Sequence, residues 1–503
     1  MTVPPSWALS DRLAWCKRFR HLLASAAPKL AKLASDEIGK PEPQALASEI
    51  MPLLASCRWH ERHAKRLLAD STLRARPFWL MGQRHRTRRA PLGTVAIIAT
   101  WNYPINLLGV QLIQALIAGN RVIVKPSERS PRTQAYLLKL ARHAGADEAT
   151  LRWTEPTREA GPRLLASEHL DHVVFTGSTE VGRLVARVAA ERLIPTTLEL
   201  SGCDSALVQS DADTTLAARS IWYALTLNSG QSCMAPRRVI VSEEAYPSFI
   251  AALSFLAAGA KPLPLIDHAA RDRALALVNQ ALSAGARSLL GVIEPPLNAD
   301  ASARPLMRPL VLVDCTTDMP LTQGEHFAPV LSVIRAASDA AAINLHRSYD
   351  KKLATSIYTR NTSRARTLAA DLSSGVVTIN DTILPTAHPA ACITGIGSSG
   401  WGVSRGVEGV LAMTRPVTVS VTSSRMRIPA EDPDPTAAKM LARLTRWLYA
   451  RSSVVAPPPD EPTTTATDSS VRHTPNQTSS STPQGNEIKP HAQPHHAAQD
   501  HAS

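Results

Sequence analysis

Aromatic side chains make up only 4% of this 503-residue chain, so its interior has to be built from Leu, Ala, Val and Ile. The six cysteines, Cys16, Cys57, Cys203, Cys233, Cys315 and Cys392, stand far apart. None forms a Cys-x-x-Cys pair or has a histidine at metal-ligand spacing, which argues against a disulfide framework and against a metal site. The first ten residues, MTVPPSWALS, have neither the basic nor the apolar segment of a secretory leader. No apolar run approaches the roughly 18 residues of a membrane span. Free thiols in a reducing cytoplasm, with no integral membrane segment, are the expectation.

What the chain has in excess is positive charge, formally +13. Residues 1–90 hold 17 Lys/Arg against 7 Asp/Glu, including the run Arg84-His85-Arg86-Thr87-Arg88-Arg89. Such a cluster suits a phosphate backbone. No zinc-finger spacing or RNA-recognition aromatic signature accompanies it, so no nucleic-acid partner is expected. A solvated face, or an anion-attracting rim near a phosphate-bearing cofactor, is the simpler reading. A hydrophobic content of 44% fits a globular chain with two or three domains.

Residues 8–72 read as helical from the spacing of Leu13, Phe19, Leu22 and Leu23 and of Leu53, Leu54, His60 and Ala64. From Pro91 the texture changes to strand–helix alternation. Strands are expected over 93–100, 121–124 and 172–176, with helices over 107–118, 131–144 and 181–190. A second set of strands follows at 205–208, 238–241, 310–313, 330–334 and 376–379, and a late one at 416–421. This is an α/β pattern with parallel sheets covered on both faces. Residues 436–450 suit a basic amphipathic helix, packed on its own protein or laid on a membrane or partner. From Ser452 onward Pro, Ser, Thr, Gln and His dominate, the composition of a disordered tail.

Two glycine motifs carry less than they suggest. Gly395-Ile396-Gly397-Ser398-Ser399-Gly400 spells G-x-G-x-x-G, but no strand-to-helix unit surrounds it and no acidic residue follows at the required distance. It reads as a loop of close backbone approach. Gly177-Ser178-Thr179-Glu180-Val181-Gly182-Arg183 lacks the Gly-Lys-Ser/Thr ending of a P-loop. It remains a strand entering a helix N-terminus, a place that favours an anion.

The chemistry-bearing segments come in a definite order. Thr100-Trp101-Asn102-Tyr103-Pro104 puts a side-chain amide after an apolar strand, and Val124-Lys125-Pro126-Ser127-Glu128 ends a strand with a cation. Thr197-Leu198-Glu199-Leu200-Ser201-Gly202 sets a carboxylate 34 positions before Cys233 in Asn228-Ser229-Gly230-Gln231-Ser232-Cys233. Gly324-Glu325-His326-Phe327-Ala328-Pro329 adds a carboxylate with an aromatic two positions on.

Taken together these segments resemble the aldehyde dehydrogenase superfamily over roughly the first 425 residues. The resemblance implies a Rossmann-like NAD(P)-binding domain (1–73 and 92–198) and an α/β catalytic domain (199–413). Bridging strands (74–91 and 414–424) would join copies into a homodimer or homotetramer, with a possible helix at 425–451 and a tail at 452–503. It implies oxidation of an aldehyde to the carboxylic acid, with Cys233 as nucleophile, Asn102 as oxyanion donor and Glu199 as base for hydrolysis of the thioester. Lys125 and Glu128 would meet the adenosine ribose, where Glu128 favours NAD over NADP. Gly177 and Ser178 would meet the pyrophosphate, and Glu325 with Phe327 the nicotinamide ribose. The alternatives are a catalytically inactive relative kept for binding, and a dehydrogenase that acylates coenzyme A, which the presence of Glu199 disfavours.

The chain departs from the family pattern at Ser201 and Cys203, at Ala328, and at Cys392-Ile393-Thr394-Gly395, where the substrate-side wall is altered. A positive φ at Ser201 or Ala328 would be costly.

Overall fold

A computed structural model describes residues 7–74, 77, 80–291, 303–423 and 434–450. The expected tail from Ser452 lies outside these residues. Residues 1–425 form one contact-dense unit, and the helix Pro435–Tyr449 belongs to a second, in which none of its residues is buried.

Two sheets organise the first unit. In strand order, the six-stranded sheet holds Gly400–Trp401, Thr196–Leu200, His172–Gly177, Thr94–Ile98, Arg121–Lys125 and Leu151–Trp153. All neighbours are parallel except at the Gly400 edge. The run Thr94–Ile98 is buried at every position, as a parallel strand covered on both faces requires. Helix Asn106–Ala118 is likewise apolar nearly all round. It is held between this sheet and the N-terminal helices Leu9–Ser25 and Met51–Leu67 in one continuous core.

The seven-stranded sheet runs Arg287–Ser288, Leu310–Val313, Val330–Ala336, Pro236–Ser242, Asp204–Val208, Ala354–Tyr358 and Val376–Ile379. Only its Arg287–Ser288 edge is antiparallel. Every strand expected from the sequence is present within a few residues. Ala354–Tyr358, fully buried in this sheet, was not foreseen, because Thr355 and Ser356 dilute its apolar signal. Those hydroxyls are satisfied internally, Thr355 with Ser374 and Ser356 with Thr378.

The basic run forms strand Gln83–Pro91, which pairs antiparallel with Thr414–Thr422 and, on its other side, with Ser71–Leu73. Arg84, Arg86 and Arg88 alternate outward in a solvated face. The residues between 8 and 72 are therefore helical only as far as Leu67, and Ser71 and Thr72 join this ribbon.

Ligands of parallel sheets sit beyond the carboxyl ends of the strands. In the first sheet those ends carry the loop 99–105, Lys125, Gly177 and Glu199. The chain leaves Leu200 and enters the second sheet at Asp204, so the loop bearing Cys233, just ahead of Pro236–Ser242, comes to face them across a cleft.

Candidate active site

Strand alternation sets Glu199. Leu198 and Leu200 pack into the core, which turns the carboxylate between them to the other face. Gln111 Nε2 donates to Thr176 Oγ1 at 2.9 Å, and Thr176 Oγ1 donates in turn to Glu199 Oε2 at 3.5 Å. Glu199 Oε1 is buried and has no partner, an expensive state unless a ligand or water uses it. The antiparallel partner opposite Glu199 is Gly400. A Cβ there would lie 2.0 Å from the Leu198 carbonyl oxygen, and φ is +99°, so the apparent dinucleotide motif is a close-approach loop against the strand of Glu199.

Cys233 follows three successive left-handed residues, Asn228, Ser229 and Gly230. Asn228 tolerates that conformation and uses its side chain in it, donating to the carbonyls of Asn102 and Gln231. At Gly230 a Cβ would lie 2.7 Å from the Ala328 carbonyl. Arg237, fully buried, donates to the carbonyls of Gly230, Ser232 and Ala328 and so ties the loop to the segment bearing Glu325 and Phe327. Burial lowers its guanidinium to about 10. The second arginine of the pair, Arg238, is buried as well, against Thr322, Ser205, Cys203 and the ring of Tyr349. Cys203, held between Arg238 and the Thr322 carbonyl, is thus a structural thiol. Ser201 and Ala328 both keep negative φ, so these departures strain nothing.

Asn102 reaches the site from the first sheet. Its Nδ2 donates to the Gln231 carbonyl at 3.0 Å and its Oδ1 accepts from Thr100 at 2.9 Å. One amide N–H is left over. Its own carbonyl accepts from Lys40 Nζ at 2.8 Å. Lys40 pairs with Glu49 at 2.5 Å with both side chains fully buried. Glu49 also accepts the backbone N–H groups of Ile105 and Asn106. Neither Lys40 nor Glu49 was identified from the sequence, where both fall in the stretch read only as helical.

Two cavities meet at the thiol. The larger, about 950 Å³, is lined by Asn102, Gly177, Ser178, Glu199, Cys233, Glu325 and Phe327. Seven of the nine expected site residues therefore share one wall. Lys125 and Glu128 do not line it; they pair with each other at 3.1 Å beside the carboxyl end of Thr94–Ile98. Arg158 also reaches Glu128; burial alone would raise that carboxylate, but its own backbone N–H with Lys125 and Arg158 holds it below its ordinary range.

Ser178 caps helix Thr179–Glu191 at the cleft, accepting from the Val181 N–H. Arg183, Arg187 and Arg273 line the same cleft, and among the described residues none is in an ion pair. Trp101 and Phe327 meet edge to face at 6.1 Å, and Glu325 pairs with Lys351 at 3.3 Å. The smaller cavity, about 180 Å³, also touches Cys233 and Glu199, but its wall is mostly apolar, with Leu107, Leu227, Met234 and Ile393 among its members.

Burial pushes the Cys233 thiol up to about 12, with Asp204 and Glu199 adding to the rise and Arg405 opposing it. The backbone N–H of Cys233 lies against its own sulfur. Burial also pushes Asp204 up to about 7.

This geometry has counterparts among known proteins. A family model described as the aldehyde dehydrogenase family matches residues 5–419. A 4,4'-diapolycopene aldehyde oxidase from Methylomonas sp. is 32% identical over 431 residues, 84% of this chain and 79% of that protein. A succinate-semialdehyde dehydrogenase [NADP(+)] from Mycobacterium avium is 29% identical over 84% of this chain and 89% of its own length. The NAD+ complex of an aldehyde dehydrogenase from Bacillus cereus superposes with a TM-score of 0.76 at 26% identity, covering 83% of this chain and 85% of that one. Match length and site order agree, and the chain belongs to the aldehyde dehydrogenase family.

Proposed function

We propose that the protein oxidises an aldehyde to its carboxylic acid with NAD(P)+ through a thioester on Cys233. The observation that carries this reading is the place of Cys233 and Glu199 on the wall common to the large polar cleft and the small apolar cavity. Reactant and cofactor can then approach one sulfur from two sides.

The cleft suits a dinucleotide. Its size is at the upper end of small-molecule sites, a helix begins at Ser178, and three arginines without an ion pair among the described residues line it. Gly177, Ser178, Glu325 and Phe327 would hold the pyrophosphate and nicotinamide ribose, with Lys125 and Glu128 at the adenosine ribose. Glu128 beside that ribose favours NAD over NADP. When bound, the nicotinamide takes up the hydrogen and electron pair that the aldehyde carbon gives up.

The rest belongs to the chain. The thiol is protonated at neutral pH, and the unpartnered Glu199 Oε1 is the acceptor for its proton. Sulfur adds to the carbonyl carbon. The spare N–H of Asn102 and the backbone N–H of Cys233 take the oxyanion, at about 3–4 kcal/mol per donor. Glu199, after releasing its proton to solvent, takes another from the water that attacks the thioester, and the acid leaves with the thiol restored.

The test is NADH formation from simple aldehydes. Cys233→Ala is expected to lower kcat by about a thousandfold or more while NAD+ still binds. Equal rates in the two proteins would mean a binding protein with a retired site. A requirement for free coenzyme A would identify the acylating reaction instead, and a preference for NADP+ would remove the role given to Glu128.

A further inference from the structure

The smaller cavity contains a charge that the reaction above does not use. Arg405 lines it together with Cys233 and Glu199. Its Nη1 donates to the Thr386 carbonyl at 2.8 Å, while its Nε is buried without a hydrogen-bond partner. Among the described residues it forms no ion pair, although Glu199 is close enough to be felt. Burial lowers its pKa from the ordinary value and outweighs the raising effect of Glu199. A cation partly withdrawn from water with no ion-pair partner is a ready site for an anion.

The backbone is arranged around this side chain. Arg405 has φ +65°, a conformation that a long side chain adopts only when its surroundings impose it. Gln114 Oε1 accepts its backbone N–H at 3.3 Å. Nearby on the same wall, the Tyr103 hydroxyl is close to Ser232 but forms no hydrogen bond with it. Two residues of this largely apolar wall, one of them cationic, thus each keep a donor without a partner. The chamber's volume, about 180 Å³, sets the scale of the occupant, since a cavity of roughly 150 Å³ holds one benzene ring.

Resting on the dehydrogenase reading, we propose that this chamber is a subsite for an anionic aldehyde. Arg405 pairs with a carboxylate that the substrate carries across one ring, or a short carbon chain, from its aldehyde carbon. The altered segment Cys392-Ile393-Thr394-Gly395 supplies Ile393 to the same wall that Arg405 lines.

The test compares substrates of one shape and different charge: 4-carboxybenzaldehyde with 4-methylbenzaldehyde, and 4-oxobutanoate with pentanal. The wild-type protein is expected to favour the carboxylate member by about tenfold or more in kcat/KM. Arg405→Gln is expected to lower that ratio by about a hundredfold, with Arg405→Lys in between. A wild-type ratio of one or below overturns the proposal. So does a ratio unchanged in Arg405→Gln, including the case in which both members slow together, which would make Arg405 an aid to the reacting centre. Should the glutamine variant not fold, Arg405→Gly, which accepts the positive φ, takes its place.

A readout without turnover separates this proposal from the dehydrogenase reading. Terephthalate is expected to bind the wild-type protein about a hundredfold more tightly than Arg405→Gln, whereas 4-methylbenzoate shows no such difference. Equal terephthalate binding overturns the subsite even if aldehydes are oxidised. Its loss in the variant supports the subsite even if none is.

Discussion

Cys233 sits between two opposed influences, burial with two neighbouring acids on one side and the Arg405 cation on the other. Asp204 is the larger of the acidic contributions, and it titrates near 7 because its own burial disfavours the charge. Its effect on the thiol is therefore conditional. Below about pH 7 Asp204 is neutral and leaves the sulfur alone; as pH rises through 7 it ionises and makes the thiolate harder to form. Asp204→Asn is expected to alkylate with iodoacetamide at the wild-type rate near pH 6. Toward pH 9 it should react several-fold to about tenfold faster, one pKa unit being a factor of ten in thiolate. Parallel pH–rate profiles would contradict this coupling. Cys233, Glu199 and Asn102 could be read from the sequence because each lies in a short segment whose residue types already suit the reaction. Asp204 and Arg405 could not, since their importance comes from burial and from neighbours remote in sequence.

At the scale of elements, the N-terminal helices do more than cover the sheet. Between Glu42–Ala45 and Met51–Leu67 the helix widens into a π turn, Leu46–Ile50, which brings Glu49 to the loop bearing Asn102. Widened turns of this kind recur at functional sites. Lys40, placed after the left-handed Gly39 that ends Ala27–Ile38, completes the link to the Asn102 carbonyl. Lys40→Met leaves Glu49 buried without its counter-charge and is expected to cost about 3–5 kcal/mol of stability. A lone buried carboxyl is tolerated better when protonated, so the deficit should shrink in acid. In the folded variant kcat should fall more than KM rises, because what is disturbed is a donor to the oxyanion. An undiminished kcat, or a stability loss independent of pH, would leave the pair a packing feature alone. Helical periodicity revealed these helices, but a one-residue widening changes no hydrophobic period, so the link stayed hidden.

At the scale of the whole molecule, the alternation of apolar strands and helices was legible because parallel strands buried on both faces write long Val/Ile runs. What periodicity could not convey is how the ribbon Gln83–Pro91 with Thr414–Thr422 presents itself. Val417, Val419 and Val421 are exposed on the outer strand and stand opposite Arg88, Arg86 and Arg84. The described residues include no strand on the far side of Thr414–Thr422. An open edge with an exposed apolar row is a template for another chain, and a second copy of the same ribbon offers the matching edge. Such pairing buries the valines while the arginines remain at the solvated margin. The protein is accordingly expected to run as a dimer or tetramer by light scattering. Val417→Lys with Val419→Lys, which sets new cations among three arginines, should give the mass of one chain while Gly177, Cys233 and the cleft stay intact and NAD+ still binds. A wild-type mass of one chain, or a variant that keeps the wild-type assembly, would mean that copies do not meet along this edge.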